Sequence, residues 1–347
     1  MNPLLSICIP TFNRAKFLPE TLHSILNQSM GSVEIVIVDG GSTDNTKEVV
    51  QSFFLKNPCV RYILSPYAGD SSVPSNAGFD RDCDYAVRSS RGQYCWLMTD
   101  DDVLVPNAIE TIIEKIRNDF DVIVTATQVK DISLSRILLA KRSSVSADRT
   151  FAVEEFDNFF SCAANCMTFV GCIVIRRNNW VDQDTSRYFG TGFIHIAVIF
   201  NRPPTYPMLV LSNPLVIIRY SNALWSDRAF QIMMLSWPQL IWSLSSVNDK
   251  FKALVVHREP WSSIKPLIRL RALSAYNYST YEKHLQSKPM SSLRRILTYG
   301  IAVMPYSIAR FVTKIVALKR SWINADQLLL QDMIDSKMRT KHRTSSN

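Results

Sequence analysis

The stretch QYCWLMTDDDVLVP, from Gln93 to Pro106, decides how the rest of the chain is interpreted. Its apolar run from Tyr94 to Met98 has the length and the aromatic and aliphatic composition of a buried strand. The run ends directly in three aspartates, and Pro106 then opens a segment in which isoleucines recur at helical spacing. The stretch therefore predicts a strand, an acidic turn and a helix.

The acidic turn consists of Asp100, Asp101 and Asp102. Three adjacent carboxylates repel one another unless a cation lies beside them, and the carboxyl ends of buried strands are where open α/β sheets bind ligands. Carboxylate oxygens suit Mg²⁺ or Mn²⁺ shared with substrate phosphates. The alternative is a helix N-terminus enriched in acids. One aspartate would satisfy that alternative, so three in a row favour a metal and phosphate site.

Composition places the basic residues in the C-terminal third of the 347-residue chain. Residues 250–347 contain 18 Lys and Arg against 5 Asp and Glu, whereas residues 1–249 contain 21 against 25. The seven cysteines show no metal-ligand spacing and are interpreted as core residues. With no leader pattern before the first strand, we expect a reducing cytosolic compartment.

Strand-like and helical patterns alternate along the first half of the chain. The strands are predicted at 4–9, 33–38, 60–64 and 121–127. This alternation predicts an α/β fold with a mostly parallel sheet that helices cover on both faces. Asp39 follows the second strand beside Gly40 and Gly41, where its carboxylate can bind a nucleotide base or ribose; the alternative is a turn aspartate that caps the next helix.

Three segments together resemble a known family. SICIPTFNR, VEIVIVDGGSTDNT and TDDDVLVP are similar, in order and spacing, to the nucleotide-binding half of glycosyltransferase family 2, over about residues 4–127. The resemblance implies the GT-A fold, a Rossmann-like sheet flanked by helices. It also implies a set of nucleoside-binding residues, namely Pro10, Thr11, Asn13, Arg14 and Asp39.

The same resemblance implies a D-x-D-type motif that binds ribose and a divalent metal, Mn²⁺ or Mg²⁺. If the motif is aligned by the x-L-x-P that follows it, its two positions fall on Thr99 and Asp101. If the first and third aspartates of the cluster are taken as the motif, they are Asp100 and Asp102. We expect Asp101 to be the main metal ligand, with Asp102 assisting it and Asp100 on the donor side.

Further donor contacts are implied outside these motifs. Arg81 lies in the segment that crosses the donor sugar and phosphates in the family, although a solvated ion pair explains it equally well. Arg219, Asn222 and Trp225 follow a predicted strand at 215–219, on the loop that closes over the diphosphate in the family. The alternative for Arg219 is a loop arginine with no ligand.

The acceptor half lacks an acid that the family commonly supplies. Gly190-Thr191-Gly192 stands where many members carry a Glu-Asp pair whose Asp is the general base, and residues 185–201 contain no carboxylate. His195 is the nearby imidazole, and a pKa of about 6.5 suits proton abstraction. The alternative is a histidine packed in the core, in which case Asp182 and Asp184 are the candidate bases.

The pattern G-T-x-x-x-H and the later PLVIIR resemble bacterial O-antigen enzymes of the abequosyltransferase type. The resemblance implies transfer of a 3,6-dideoxyhexose from a CDP- or UDP-sugar. It implies a polyprenyl-diphosphate-linked oligosaccharide as the acceptor, at the inner face of the bacterial inner membrane.

The C-terminal third contains no segment that is expected to span a membrane. Residues 296–309 are uncharged and lie between Arg294, Arg295, Arg310 and Lys314, a pattern that suits a helix on an anionic membrane surface. An ordinary packing helix with a basic face is the alternative. Nucleic-acid binding is disfavoured because no recognition motif accompanies the charge.

These observations predict a nucleotide-sugar-binding half at 1–127, an acceptor half at 128–228 and a basic helical region at 229–347. The function expected is that of an inverting, metal-dependent glycosyltransferase of the hexosyltransferase class. A nucleotidyltransferase is one alternative, but the loop after the first strand has no glycine. An inactive nucleotide-binding protein is the other, because of the missing Glu-Asp pair.

Overall fold

The computed structural model describes residues 2–68, 78–222 and 228–319, and the side chains as far as residue 315. Its strands join in one sheet, in the order β3-β2-β1-β4-β9-β6-β10-β5, with β7 beside β6 and β8 beside β10. The strands are β1 (Leu5–Thr11), β2 (Val33–Asp39), β3 (Val60–Leu64), β4 (Tyr94–Leu97), β5 (Val103–Leu104), β6 (Val122–Lys130), β7 (Ile137–Arg142), β8 (Arg149–Phe151), β9 (Ile173–Arg176) and β10 (Met208–Arg219).

One half of the sheet is parallel and aligns several strand ends. β1 pairs with β2 along its whole length, so that Thr11 lies opposite Asp39. On its other side β1 pairs with β4, with Cys8 opposite Leu97, and β3 runs parallel to β2. The carboxyl ends of β1, β2 and β4 therefore lie at one edge of the sheet, where the three sequence motifs leave it.

The other half of the sheet is antiparallel. β9 runs antiparallel to both β4 and β6, and β10 runs antiparallel to β5 and β8. The sheet is thus mixed, with its parallel strands in the half that carries the motifs.

Helices make up much of the rest of the described chain. They are α1 (Leu18–Leu26), α2 (Thr46–Phe54), α3 (Phe79–Ser89), α4 (Ala108–Ile116), α5 (Phe156–Ala163), α6 (Asn178–Val181), α7 (Ile194–Phe200), α8 (Ala229–Gln231), α9 (Trp237–Ser243), α10 (Asp249–Val255), α11 (Ile264–Ala272), α12 (Tyr278–His284), α13 (Ser292–Val303) and α14 (Tyr306–Lys319). A π-helical turn, Ile232–Ser236, joins α8 to α9.

The helix after the acidic turn packs as its spacing predicts. Ile109, Ile112 and Ile116 of α4 are buried and Ile113 is half-buried. They belong to one core cluster with Trp96 of β4. Residues at i, i+3 and i+7 share one helix face, so this packing fixes the acidic turn between β4 and α4.

The chain divides into two compact units, each made of discontinuous segments. One comprises residues 1–129, 141–219 and 243–255, and the other residues 130–140, 220–242 and 256–347. The second has a core of its own, which includes Phe230, Trp261, Leu267, Tyr276 and Leu285. The boundaries at residues 127 and 228 stay a prediction.

Within the described part of the chain, no single helix is long and apolar enough to cross a membrane. α13 and the part of α14 up to Ile315 meet the length and composition requirement only as a pair, and the two helices are bent by 101°.

Candidate functional site

The loops after β1 and β2 are hydrogen-bonded to one another. Pro10 and Thr11 end β1 in register with the end of β2. The side-chain oxygen of Asn13, a residue with a φ of 56°, accepts a hydrogen bond from the Thr43 N–H at 2.7 Å. The Arg14 N–H donates to a threonine hydroxyl at the start of α2 at 3.0 Å. The predicted nucleoside-binding residues are thereby held beside the end of β2.

Asp39 is fixed at the end of β2 through both of its carboxylate oxygens. Oδ1 accepts the N–H groups of Gly41 and Ser42 at 3.0 and 2.7 Å. Oδ2 accepts the Tyr62 hydroxyl at 2.8 Å. Asp39 is 1% exposed. Its orientation is therefore set by the protein before any ligand binds, and Tyr62 is a partner that the sequence motifs did not indicate.

Asp82 of α3 packs over the same strand end. A Cβ added to Gly40 would lie 2.6 Å from Asp82 Oδ2, so a larger residue at position 40 would displace this carboxylate. Burial, with a smaller contribution from the charge of Asp39, raises the pKa of Asp82 to about 6, although the Ser65 hydroxyl lowers it. A second carboxyl group thus lies beside the predicted nucleoside site.

Asp100 and Asp101 share one arginine. Arg14 Nε lies 3.4 Å from Asp100 Oδ1, and Arg14 Nη2 lies 3.6 Å from Asp101 Oδ2. Burial, followed by the charge of Asp101, raises the pKa of Asp100 to about 7, although Arg14 lowers it. The two carboxylates therefore carry more negative charge than this guanidinium neutralises.

Asp102 faces the protein. Its Oδ1 accepts the Arg219 N–H at 2.6 Å, and its Oδ2 accepts the Thr99 hydroxyl. Burial, and then the charge of Asp101, raises the pKa of Asp102 well above its usual value. In this arrangement the side chain predicted to assist at the metal joins the acidic turn to the end of β10.

Asp100 and Asp101 fit a divalent cation as donors. Mg²⁺ and Mn²⁺ are commonly held by one or two carboxylates together with substrate phosphates, and a cation would relieve the repulsion that raises the pKa of Asp100. Asp102 fits less well, since each of its oxygens already accepts a hydrogen bond from the protein, and its role at the metal stays a prediction. Among the described residues, no three His, Cys, Asp or Glu side chains are grouped as a metal site. In protein sites of this kind, Mg²⁺ usually completes its coordination with substrate phosphate oxygens and water.

Arg219 braces the acidic turn. Its Nε donates to the Asp101 carbonyl oxygen at 2.8 Å, its guanidinium forms an ion pair with Glu20, and the residue is 5% exposed. Asn222 is half-buried in the turn after β10. Trp225, which the sequence also places on this loop, lies outside the described residues.

Arg81 lies between two aromatic rings. Its guanidinium carbon is 5.2 Å from the centroid of Tyr67 and 5.6 Å from that of Phe189. Cation–π contacts of this kind hold the guanidinium plane in position. The contact of Arg81 with the donor stays a prediction.

The loop Gly190-Thr191-Gly192, which has no acidic residue of its own, encloses the carboxyl group of Asp80 from α3. Gly190 and Gly192 have φ values of 87° and 75°, a conformation that favours glycine. The loop directs the Gly192 and Ile194 N–H groups at Asp80 of α3, with N···O distances of 2.8 and 3.2 Å. Burial raises the pKa of Asp80, whereas these N–H donors lower it. Asp80 therefore supplies, inside the loop, the carboxyl group that the loop sequence lacks.

His195 is a buried residue of α7. It is 1% exposed, and its Nε2 is 2.9 Å from the Met167 carbonyl oxygen. Burial lowers its pKa to about 4, so the imidazole is neutral at pH 7. These are the features of a packed core histidine, the alternative that the sequence left open.

Asp182 and Asp184 are exposed and lie between α6 and α7. Asp182 follows the last residue of α6. Asp184 accepts the Ser186 hydroxyl and N–H at 2.7 and 3.0 Å, which lower its pKa. Both carboxylates are accessible to solvent. With its lowered pKa, Asp184 is expected to be ionised at neutral pH.

The family model described as Glycosyl transferase family 2 matches residues 6–183, about half of the chain. The chain is 29% identical to the abequosyltransferase RfbV of Salmonella typhimurium, over 63% of this chain and 67% of that protein. It is 32% identical to the GalNAc(5)-diNAcBac-PP-undecaprenol beta-1,3-glucosyltransferase of Campylobacter jejuni, over 33% of this chain and 34% of that protein. The chain thus spans two thirds of one relative and a third of the other.

Solved structures share the fold. The S. aureus protein TarS, residues 1–349, superposes with a TM-score of 0.51 at 14% identity, over 99% of this chain and 92% of that chain. The mannosyltransferase PcManGT from Pyrobaculum calidifontis, in complex with GDP-Man and Mn²⁺, superposes with a TM-score of 0.51 at 14% identity, over 98% and 87% of the two chains. The predicted GT-A fold is confirmed.

Proposed function

Because the chain belongs to glycosyl transferase family 2 and is a glycosyltransferase, we propose that it is inverting and uses a divalent metal. The donor is a nucleoside-diphosphate sugar, and the acceptor is a lipid-linked oligosaccharide. One observation carries the proposal: Asp39 at the end of β2 and the acidic pair Asp100 and Asp101 after β4 lie at the same edge of the sheet, on either side of β1.

The donor is held between these two groups. Asp39 and the loop 10–14 bind the nucleoside, and Arg14 provides positive charge for the diphosphate next to Asp100 and Asp101. A divalent cation, when bound by these two carboxylates, would stabilise the charge that develops on the leaving diphosphate. Arg219 acts by positioning the turn, since its guanidinium is occupied by Glu20 and the Asp101 carbonyl.

Transfer forms the bond between the acceptor oxygen and the anomeric carbon while the bond from that carbon to the diphosphate oxygen breaks. The hydroxyl proton passes to a base, and the electron pair of the broken bond leaves with the diphosphate. Three side chains are candidates for this base. Asp182 and Asp184 are exposed to solvent, whereas His195 is 1% exposed and would have to be uncovered first.

The finer substrate assignment follows the relatives. Similarity to an abequosyltransferase supports a dideoxyhexose, carried as a CDP- or UDP-sugar. Similarity to an enzyme named for an undecaprenyl-diphosphate-linked substrate supports a polyprenyl-diphosphate acceptor. We place the reaction at the inner face of the bacterial inner membrane, in surface-polysaccharide synthesis.

Thermal unfolding with CDP, UDP, GDP and TDP, each with and without Mn²⁺, tests the donor site. A ligand at about 100 times its Kd stabilises by about 2.7 kcal/mol. We expect one nucleotide to raise the Tm in a metal-dependent way, and Asp101→Asn to abolish the metal-dependent part. Glu114→Gln, an exposed acid on α4, is the matched control.

If no nucleotide raises the Tm with or without Mn²⁺, the proposed donor site is wrong. If a nucleotide binds but neither sugar transfer nor donor hydrolysis follows, the chain binds nucleotide without catalysis. If pyrophosphate is released instead, the reaction is nucleotidyl transfer.

A further inference from the structure

Helices α13 and α14 direct their large apolar side chains outward. The buried positions of α13 are Thr298, Ile301 and Ala302, and those of α14 include Ala309 and Thr313. The side chains 46–69% exposed form what we call the α13–α14 apolar face: Leu293, Ile296, Val303, Tyr306, Ile308 and Phe311. A surface helix of a water-soluble domain shows the reverse arrangement.

This orientation is fixed by polar contacts within the same unit. The Tyr276 hydroxyl donates to the Thr298 carbonyl oxygen at 3.0 Å. Arg310 Nε donates to the Ala272 carbonyl oxygen at 3.0 Å. Both helices pack on α11. These contacts keep the apolar side chains on the outside of both helices, and exposed apolar surface of this extent marks an interaction site.

Charge indicates what covers this face. Residues 256–315 contain ten Lys and Arg against two Asp and Glu. Arg294 of α13 and Lys314 of α14 are exposed on the helices that carry the face. Apolar residues with nearby cations match a bilayer surface that contains anionic lipid. A second copy of the chain matches poorly, since it would bring two sets of positive charge together.

Helix length favours binding at the surface over crossing. α13 has 12 residues, which span about 18 Å at 1.5 Å per residue. The hydrocarbon core of a bilayer is about 30 Å thick. With a bend of 101° between them, α13 and α14 can both lie in the interfacial plane.

We propose that the α13–α14 apolar face inserts into one monolayer of an anionic membrane, with both helices in the interfacial plane. Leu293, Ile296, Ile308 and Phe311 enter the acyl region, while Arg294 and Lys314 contact lipid phosphates. The residues of this face belong to a different unit from Asp39 and Asp101, so the proposal requires neither nucleotide nor metal. It deepens the proposed peripheral location by naming the residues and the lipid class.

Flotation of the full chain with vesicles tests the surface. Phosphatidylcholine vesicles are compared with vesicles in which about a third of the lipid is phosphatidylglycerol. We expect binding to the anionic vesicles that weakens as salt rises. The double variant Ile296→Asp/Phe311→Asp should bind these vesicles more than about tenfold more weakly. Both positions are about two-thirds exposed, so the variant should fold.

A matched control carries the same change elsewhere. Leu55→Asp/Leu254→Asp replaces two exposed leucines of the other unit and adds the same charge. It should bind as the unchanged chain does, and Arg294→Gln/Lys314→Gln should lose the dependence on phosphatidylglycerol.

Three results would overturn the proposal. The first is that the unchanged chain binds neither kind of vesicle, and the second is that Leu55→Asp/Leu254→Asp loses as much vesicle binding as Ile296→Asp/Phe311→Asp. The third is sedimentation of the unchanged chain as a dimer that Ile296→Asp/Phe311→Asp dissociates. The nucleotide-dependent rise in Tm should persist in every variant. Failure of membrane binding can therefore be told apart from failure of the donor site.

Discussion

Replacing Asp80 with alanine removes the carboxylate that the acceptor-side loop surrounds. Asp80 is 3% exposed, and it accepts the N–H groups of Gly192 and Ile194. Alanine leaves these two donors without the acceptor that orients them. We expect the loop to lose its conformation and the folded state to lose stability.

The size of the effect follows from the two bonds. A hydrogen bond to a charged group contributes about 1.5–3 kcal/mol. Two such bonds at the lower value give a loss of roughly 3 kcal/mol for Asp80→Ala. Asp80→Asn keeps one acceptor oxygen and should lose about half of that.

Urea denaturation of the unchanged chain, both Asp80 variants and Glu114→Ala measures these losses. The exposed Glu114 should change stability by less than about 0.5 kcal/mol. The nucleotide-dependent rise in Tm should survive in Asp80→Asn, because Asp39 is oriented by Gly41, Ser42 and Tyr62. If Asp80→Ala costs less than about 1 kcal/mol, the carboxylate does not hold the loop as described.

Three further predictions concern other parts of the site. Gly40→Ala should destabilise the chain by about 1–3 kcal/mol, and Asp82→Ala should relieve part of that loss in the double variant, because the added Cβ meets the Asp82 carboxylate; additive losses in denaturation would contradict the contact. Burial lowers the pKa of His195 to about 4 from about 6.5 in the unfolded chain, so below pH 6.5 the unfolded state binds a proton that the folded state excludes. Stability should therefore fall as the pH drops from 6.5 to 4, by up to about 1.4 kcal/mol per pH unit more than in His195→Gln; equal slopes would place His195 in contact with water. Asp102→Asn should lower the urea midpoint yet keep Mn²⁺-dependent nucleotide binding, in contrast to Asp101→Asn; loss of the Mn²⁺ dependence would make Asp102 a ligand.

The local parts of the fold could be predicted from the sequence. The apolar runs at 33–38 and 60–64 form strands because their patterns are local and uninterrupted. The spacing of the isoleucines gave the buried face of α4 for the same reason. Parallel pairing then aligns the strand ends, which is why the motif residues Asp39 and Asp101 come to lie on one edge.

The long-range partners could not be predicted. Asp80 and Gly192 are 112 residues apart, and Arg219 and Glu20 are 199 apart. No local pattern encodes such pairs, since each depends on how distant elements pack. The clue for Asp80 was its place in a run of acids at the start of α3, where a dipole or surface role explains acids equally well. The same holds for His195. Its position in the sequence was compatible with a general base, but its burial depends on how α7 packs, which no local pattern encodes.

Titration calorimetry of the preferred nucleoside diphosphate, with and without Mn²⁺, tests the central claim most directly. The account predicts that Asp39→Ala weakens binding about tenfold or more in both conditions, through loss of the nucleoside contact. It predicts that Asp101→Asn removes the strengthening by Mn²⁺ and leaves metal-free affinity unchanged. Unchanged affinity and unchanged Mn²⁺ dependence in both variants would show that the nucleotide does not bind at this edge of the sheet.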